Sequence, residues 1–115
     1  MTTIFHMADQ DTWQEAVKSG SYAGTANDKA DGFIHFSTAE TVIESAAKHR
    51  AGVEGLLLIA VDADALGSDL KWEEARGGVL FPHLYADLKT ELVSSVTPLP
   101  LGPDGLHIFP QLEGL

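Results

Sequence analysis

The chain has 115 residues, 44% of them hydrophobic and 21% charged, which is ordinary globular usage; it fits one compact domain over 1–115 and excludes a disordered or fibrous chain. Seven basic residues against seventeen acidic ones give a net charge of -10, which argues against nucleic acid, whose backbone must be neutralised by Lys and Arg. There is no cysteine, so disulfides, thiolate nucleophiles and sulfur-rich zinc sites are excluded together.

The N-terminal stretch "MTTIFHMADQD" has no basic region and turns acidic early, so it does not read as a secretory signal. The longest apolar run, "LLLIAV", is too short for a bilayer, and the expectation is a cytoplasmic protein with no membrane partner. "TIFHM" alternates as a strand. "TWQEAVKSG" reads as a short helix with capping-box spacing at Thr12 and Glu15, an apolar face of Trp13, Ala16 and Val17, and a stop at Gly20. "SYAGTANDKAD" follows as a loop, long enough to act as a lid over a ligand.

"GFIHFS" reads as one strand, and "STAETVIESAAKHRAG" as a second helix with Ser37 and Glu40 at capping-box spacing and a stripe of Val42, Ile43, Ala46 and Ala47. "GLLLIAVD" is a nearly continuous apolar run, as expected of a central strand buried on both faces. "LKWEE", "VLFPHLY" and "ELVSSVTPL" read as three further strands, with "ARGG" closing a hairpin between the first two. The Pro/Gly-rich tail, 98–115, is expected on the surface with a short strand at "LHIF". This order of elements predicts an α+β domain with two main helices.

Alternation along "GFIHFS" turns Ile34 and Phe36 to the core and Phe33, His35 and Ser37 the other way. The same arithmetic groups Phe81, His83 and Tyr85, and pairs Ile4 with His6. Three strands thus each offer a histidine beside aromatic or apolar neighbours, which suits a pocket that stacks rings on a planar ligand and donates hydrogen bonds to its hydroxyls or phosphates. Desolvation there would tune a histidine for acid–base work near neutral pH. Each histidine also has a plainer role open to it as a hydrogen-bonded structural group, and Ser37 as a helix N-cap.

Trp72, Glu73 and Glu74 form a second polar-aromatic cluster; one of the two glutamates must face away from the other on a strand, and a solvated carboxylate is the plainer role for each. His49, near a helix C-terminus, and His107, in the tail, are expected to be structural or surface residues. No GxGxxG, P-loop, HExxH or GxSxG occurs. No local histidine pair has metal-ligand spacing, which leaves a metal site only if distant histidines meet.

Taken together and in order, "IFHM", "SGSY", "DGFIHFST", "LLLIAVD", "ALG", "KWE" and "FPHLY" resemble the bacterial family called domain of unknown function 952, over about residues 3 to 98. The family usually has cysteine at the place of Phe36 and commonly glycine at that of Ala86. The resemblance implies an ADP-ribosyltransferase-like fold, a split, mixed sheet that cradles nicotinamide adenine dinucleotide in its enzyme members. It implies that His6 holds the first-strand position that contacts a ribose. The late carboxylate of such enzymes has no evident counterpart, since "KWEE" precedes "FPHLY".

The expected function is therefore a small pocket protein, an NAD-related transferase acting on NAD or on an ADP-ribosylated or phosphorylated small molecule. His35, His83 and Glu73 are the candidate catalytic residues. His6, Phe33, Ser37, Trp72 and Tyr85 are the candidate ligand-binding residues, with no metal assigned. NAD is the candidate ligand or substrate. The alternatives are a non-catalytic ligand-sensing or protein-interaction domain and, third, a three-histidine metal-binding protein.

Overall fold

The computed structural model describes residues 2–112, the side chain of Arg76 excepted. Met1 and the last three residues of the expected tail, 113–115, lie outside the described residues. The chain runs β1 (Thr3–Asp9), α1 (Gln10–Ser19), β2 (Ser21–Tyr22), α2 (Ala26–Asp31), β3 (Ile34–His35), β4 (Ser37–Thr38), α3 (Val42–His49) and β5 (Leu56–Asp62). It continues through β6 (Leu70–Glu74), β7 (Leu80–Leu84), β8 (Leu88–Lys89) and β9 (Val93–Leu99). This is the expected α+β class, with a third, short helix added.

The main sheet is antiparallel in the order β4-β1-β5-β9, and β5 is central, as its apolar run predicts. Alternate residues of β5 enter different cores: Ile59 and Val61 join Ile4, Trp13, Tyr22 and Phe36 on one face, and Leu56, Leu58 and Ala60 join Phe5, Val42 and Leu99 on the other. Burial on both faces removes most of the strand from water at roughly 25 cal/mol per Å2 of apolar surface, which makes this sheet the scaffold for everything else. The tail closes the second core through Leu112, and its expected strand is reduced to a bridge between Leu101 and His107.

The expected single strand at "GFIHFS" is two short ones. Ser37 pairs with Phe5 in the main sheet, whereas His35 pairs with His83 in a second sheet of order β3-β7-β6. Between them Phe36 donates its N–H to Pro82 O at 3.0 Å, so the chain changes sheets across one residue. Pro82 can sit within β7 because β3 pairs that strand only at His83 and Leu84. β1 and β4 therefore part beyond Phe5, and a cleft opens between the two sheets.

Local cap signals are placed differently from the expectation. α1 begins one turn early, at Gln10, with Asp9 at its N-cap, so Thr12 and Glu15 lie inside the helix. α3 begins only at Val42, with Thr41 at the N-cap, and Ser37 is a strand residue. The stripe on α3 is also narrower than predicted, with Val42 and Ala46 buried but Ile43 and Ala47 exposed, and on α1 Val17 is exposed. Among the described residues, the one complete capping box joins Thr25 and Asp28 and starts α2 inside the stretch expected to be a loop.

Candidate functional site

The Thr25 box is the first construction step of the site. Asp28 donates its backbone N–H to Thr25 Oγ1 at 3.2 Å, and its Oδ2 accepts the Thr25 N–H at 2.8 Å. That leaves Oδ1 aimed at β3, where it accepts the N–H of His35 at 3.2 Å and its ring Nδ1–H at 2.6 Å. Asp28 is only 3% exposed. Burial pushes its pKa up, but the His35 hydrogen bond and the facing His6 more than offset this, and the net shift is downward.

His35 is the complementary half. Its Nδ1 faces the carboxylate of Asp28 and its Nε2 lies 3.0 Å from Asp31 Oδ2, so both nitrogens face acceptors, the geometry of an imidazolium. The Asp28 hydrogen bond outweighs partial burial and raises the His35 pKa. Both contacts favour the protonated ring, which is oriented by a buried carboxylate and 35% exposed at its side chain.

His6 is arranged for the opposite charge state. Its Nδ1–H donates to the His35 carbonyl at 2.6 Å, so its Nε2 accepts the Tyr22 hydroxyl at 2.7 Å. Burial lowers its pKa against the pull of Asp28, whose Oδ2 lies 3.6 Å from Nε2. Phe36 packs its ring 5.5 Å from that of His6. Tyr22, packed edge-on to Trp13, has its phenol pKa raised by burial and by Asp28 and stays protonated.

His83 belongs to a second carboxylate pair. Its Nδ1–H donates to Glu73 Oε1 at 2.8 Å, and the Tyr85 hydroxyl donates to the same oxygen at 2.6 Å. Those two bonds, Tyr85 first, lower the Glu73 pKa. Phe33 stacks on His83 with ring centres 4.1 Å apart, and the rings of His35 and His83 are 5.6 Å apart, edge to face. Cross-strand pairing explains the convergence: His35 faces His83, and Glu73 lies opposite Phe81, on one face of the small sheet.

A cleft of about 950 Å3 opens onto these groups, within the size range of small-molecule sites. His6, His35, Ser37 and His83 line it; Phe33, Glu73 and Tyr85 are grouped around His83 beside it. Trp72 is not brought to the site. It pairs with Pro82 on the opposite face of β6 and β7 and is 42% exposed, because the alternation that turns Glu73 inward turns its neighbour out. Glu74 is likewise exposed. His49, expected on the surface, is exposed at the cleft wall, and His107 donates Nε2–H to Val53 O at 2.7 Å in the tail.

Sequence reasoning missed Asp28, Tyr22, Asp31 and Arg50. The T-x-x-D spacing of Thr25 and Asp28 was the available signal for the first, although aspartate is not the Glu/Gln of the usual box. Among the described residues no three His, Asp or Glu side chains are arranged to hold a metal ion, and no helix is long and apolar enough to cross a membrane.

Fold and site together define a small α+β protein with paired histidine–carboxylate groups in a cleft between two sheets. The chain belongs to the family described as protein of unknown function (DUF952), which it matches over residues 7–96. It is similar to protein CC0527 from Caulobacter crescentus, whose X-ray structure is 44% identical over 93% of this chain and 94% of that one, with a TM-score of 0.90. The solution NMR structure of CC0527 is 45% identical over 92% and 91% of the two chains, with a TM-score of 0.82. No curated protein matches the chain.

Proposed function

We propose that the cleft binds NAD or a related ADP-ribosylated or phosphorylated small molecule, and that His35 performs acid–base work on it. The observation that carries this reading is the 2.6 Å bond from His35 Nδ1 to buried Asp28, made at the wall of a cleft of about 950 Å3. A carboxylate behind a histidine fixes the ring's tautomer and raises its proton affinity, while the outer nitrogen remains the working atom. A ligand oxygen that replaces half-exposed Asp31 at Nε2 receives that nitrogen's proton or hydrogen bond. His83 lines the cleft, held from beside it by Phe33 and, through Glu73, by Tyr85, and Ser37 supplies a hydroxyl.

The switch of strand between two sheets and the histidine on the first strand support an ADP-ribosyltransferase-like reading of the fold. Fold-level analogy supplies no activity by itself, so the chemistry rests on His35, with His83 and Glu73 as second acid–base candidates. The test is NAD+ incubated with the protein and with His35→Ala and His83→Ala. The expected result is saturable NAD+ binding weakened in both variants, and nicotinamide release that depends on His35. Unchanged affinity in both folded variants would overturn the assignment. Saturable binding without any conversion would favour the second reading, a ligand-sensing domain that uses the same cleft.

A further inference from the structure

The α3 wall of the cleft carries two cationic side chains, Lys48 and Arg50, that take no part in the His35 chemistry. Arg50 is the C-cap of α3, where a cation is ordinarily explained by the helix dipole. Its side chain does not stay on the helix. It reaches to β1, with Nη2 3.4 Å from Met7 O and Nη1 3.6 Å from Asp9 Oδ1, and is 23% exposed. Charge-assisted hydrogen bonds of guanidinium to oxygen are typically about 2.7–2.9 Å, so both contacts are loose. A guanidinium has five donors. Among the described residues, Arg50 meets no acceptor at that close range, although it is more than three-quarters covered.

The surroundings supply what an oxyanion needs. Lys48 and Ser45 line the same wall, and His35, whose proton affinity Asp28 raises, lines the cleft with them. Lys48 pairs with Glu44 at 2.9 Å, but both side chains are largely exposed, and such a surface pair is readily given up. In a chain of net charge -10, long-range attraction does not draw an anion in, so binding has to come from local cations of this kind.

We infer that Arg50, with Lys48 and Ser45, forms a phosphate subsite of the cleft, in which the guanidinium fork grips a phosphate or diphosphate group. It deepens the reading of the cleft as a ligand site and rests on it, but not on NAD being the ligand. Inorganic pyrophosphate is the probe, followed through the Arg50 Nε–H and the backbone amides of residues 45–50 by NMR. Saturable shifts confined to this wall are expected, with affinity reduced about tenfold or more in Arg50→Gln and unchanged in Lys89→Gln, a remote exposed control on β8. Arg50→Lys keeps the charge and loses the fork, so it should also bind more weakly than the parent.

Parent-like pyrophosphate affinity in either Arg50 variant, or shifts that avoid α3, would overturn the subsite. The two readings also fail separately. Pyrophosphate held by Arg50 while NAD+ moves no histidine supports the subsite and refutes NAD. NAD+ binding through His35 with the Arg50 Nε–H unmoved refutes the subsite alone.

Discussion

At the residue scale, Asp28 raises the proton affinity of both of its histidines, decisively for His35 and against a stronger burial effect for His6. Asp28→Asn should therefore move both ring midpoints downward, which histidine NMR titration reads directly; an unmoved His35 midpoint would contradict the dyad. The linkage has a definite sign. With a raised folded pKa, protonated His35 stabilises the native state fully below 6.5, and that contribution is lost as pH rises through the folded value. His6, held neutral, acts oppositely, and its contribution is lost as pH falls below 6.5. Tyr22→Phe should cost about 1–3 kcal/mol in urea unfolding, because His6 Nε2 loses its 2.7 Å donor inside the core.

At the element scale, the short helix α2 is the piece that presents Asp28, and its entry depends on Gly24. A Cβ at Gly24 would lie 2.7 Å from both Cβ and Oδ2 of Asp28, at a φ of +97°. Gly20 shares the positive φ but faces open space. Gly20→Ala should then cost about 1 kcal/mol for the left-handed backbone alone. Gly24→Ala should cost clearly more and lower the His35 midpoint as Asp28 is pushed aside; equal costs in thermal or urea unfolding would sink this account. The same helix shows why part of the architecture was illegible in the sequence. β1 and β5 announce themselves through alternation and a long apolar run, whereas "ANDKAD" has no apolar stripe and is held by its cap, its Gly32 terminus and contacts made by one carboxylate. Cap spacing without an anchoring face is ambiguous, which is why Thr12 and Ser37 looked like caps and Thr25 did not.

At the scale of the whole molecule, the two sheets place three histidines in one site although they are 29 and 48 positions apart along the chain. The face of each histidine was readable from strand alternation, and so was the outward turn of one residue of "KWEE". Their meeting was not, because it depends on the chain changing sheets at Phe36. A ligand that binds only this assembled cleft stabilises the whole fold by mass action. NAD+ at a hundred times its Kd should add about 2.7 kcal/mol, visible as a rise in Tm that His35→Ala reduces.

The most direct test of the central claim is a titration with NAD+ followed through the histidine ring nitrogens, with nicotinamide observed in the same sample. Saturable shifts of His6, His35 and His83 are expected while His107, tied to Val53 in the tail, stays still. Ring signals unmoved at NAD+ concentrations well above metabolite levels would contradict the claim.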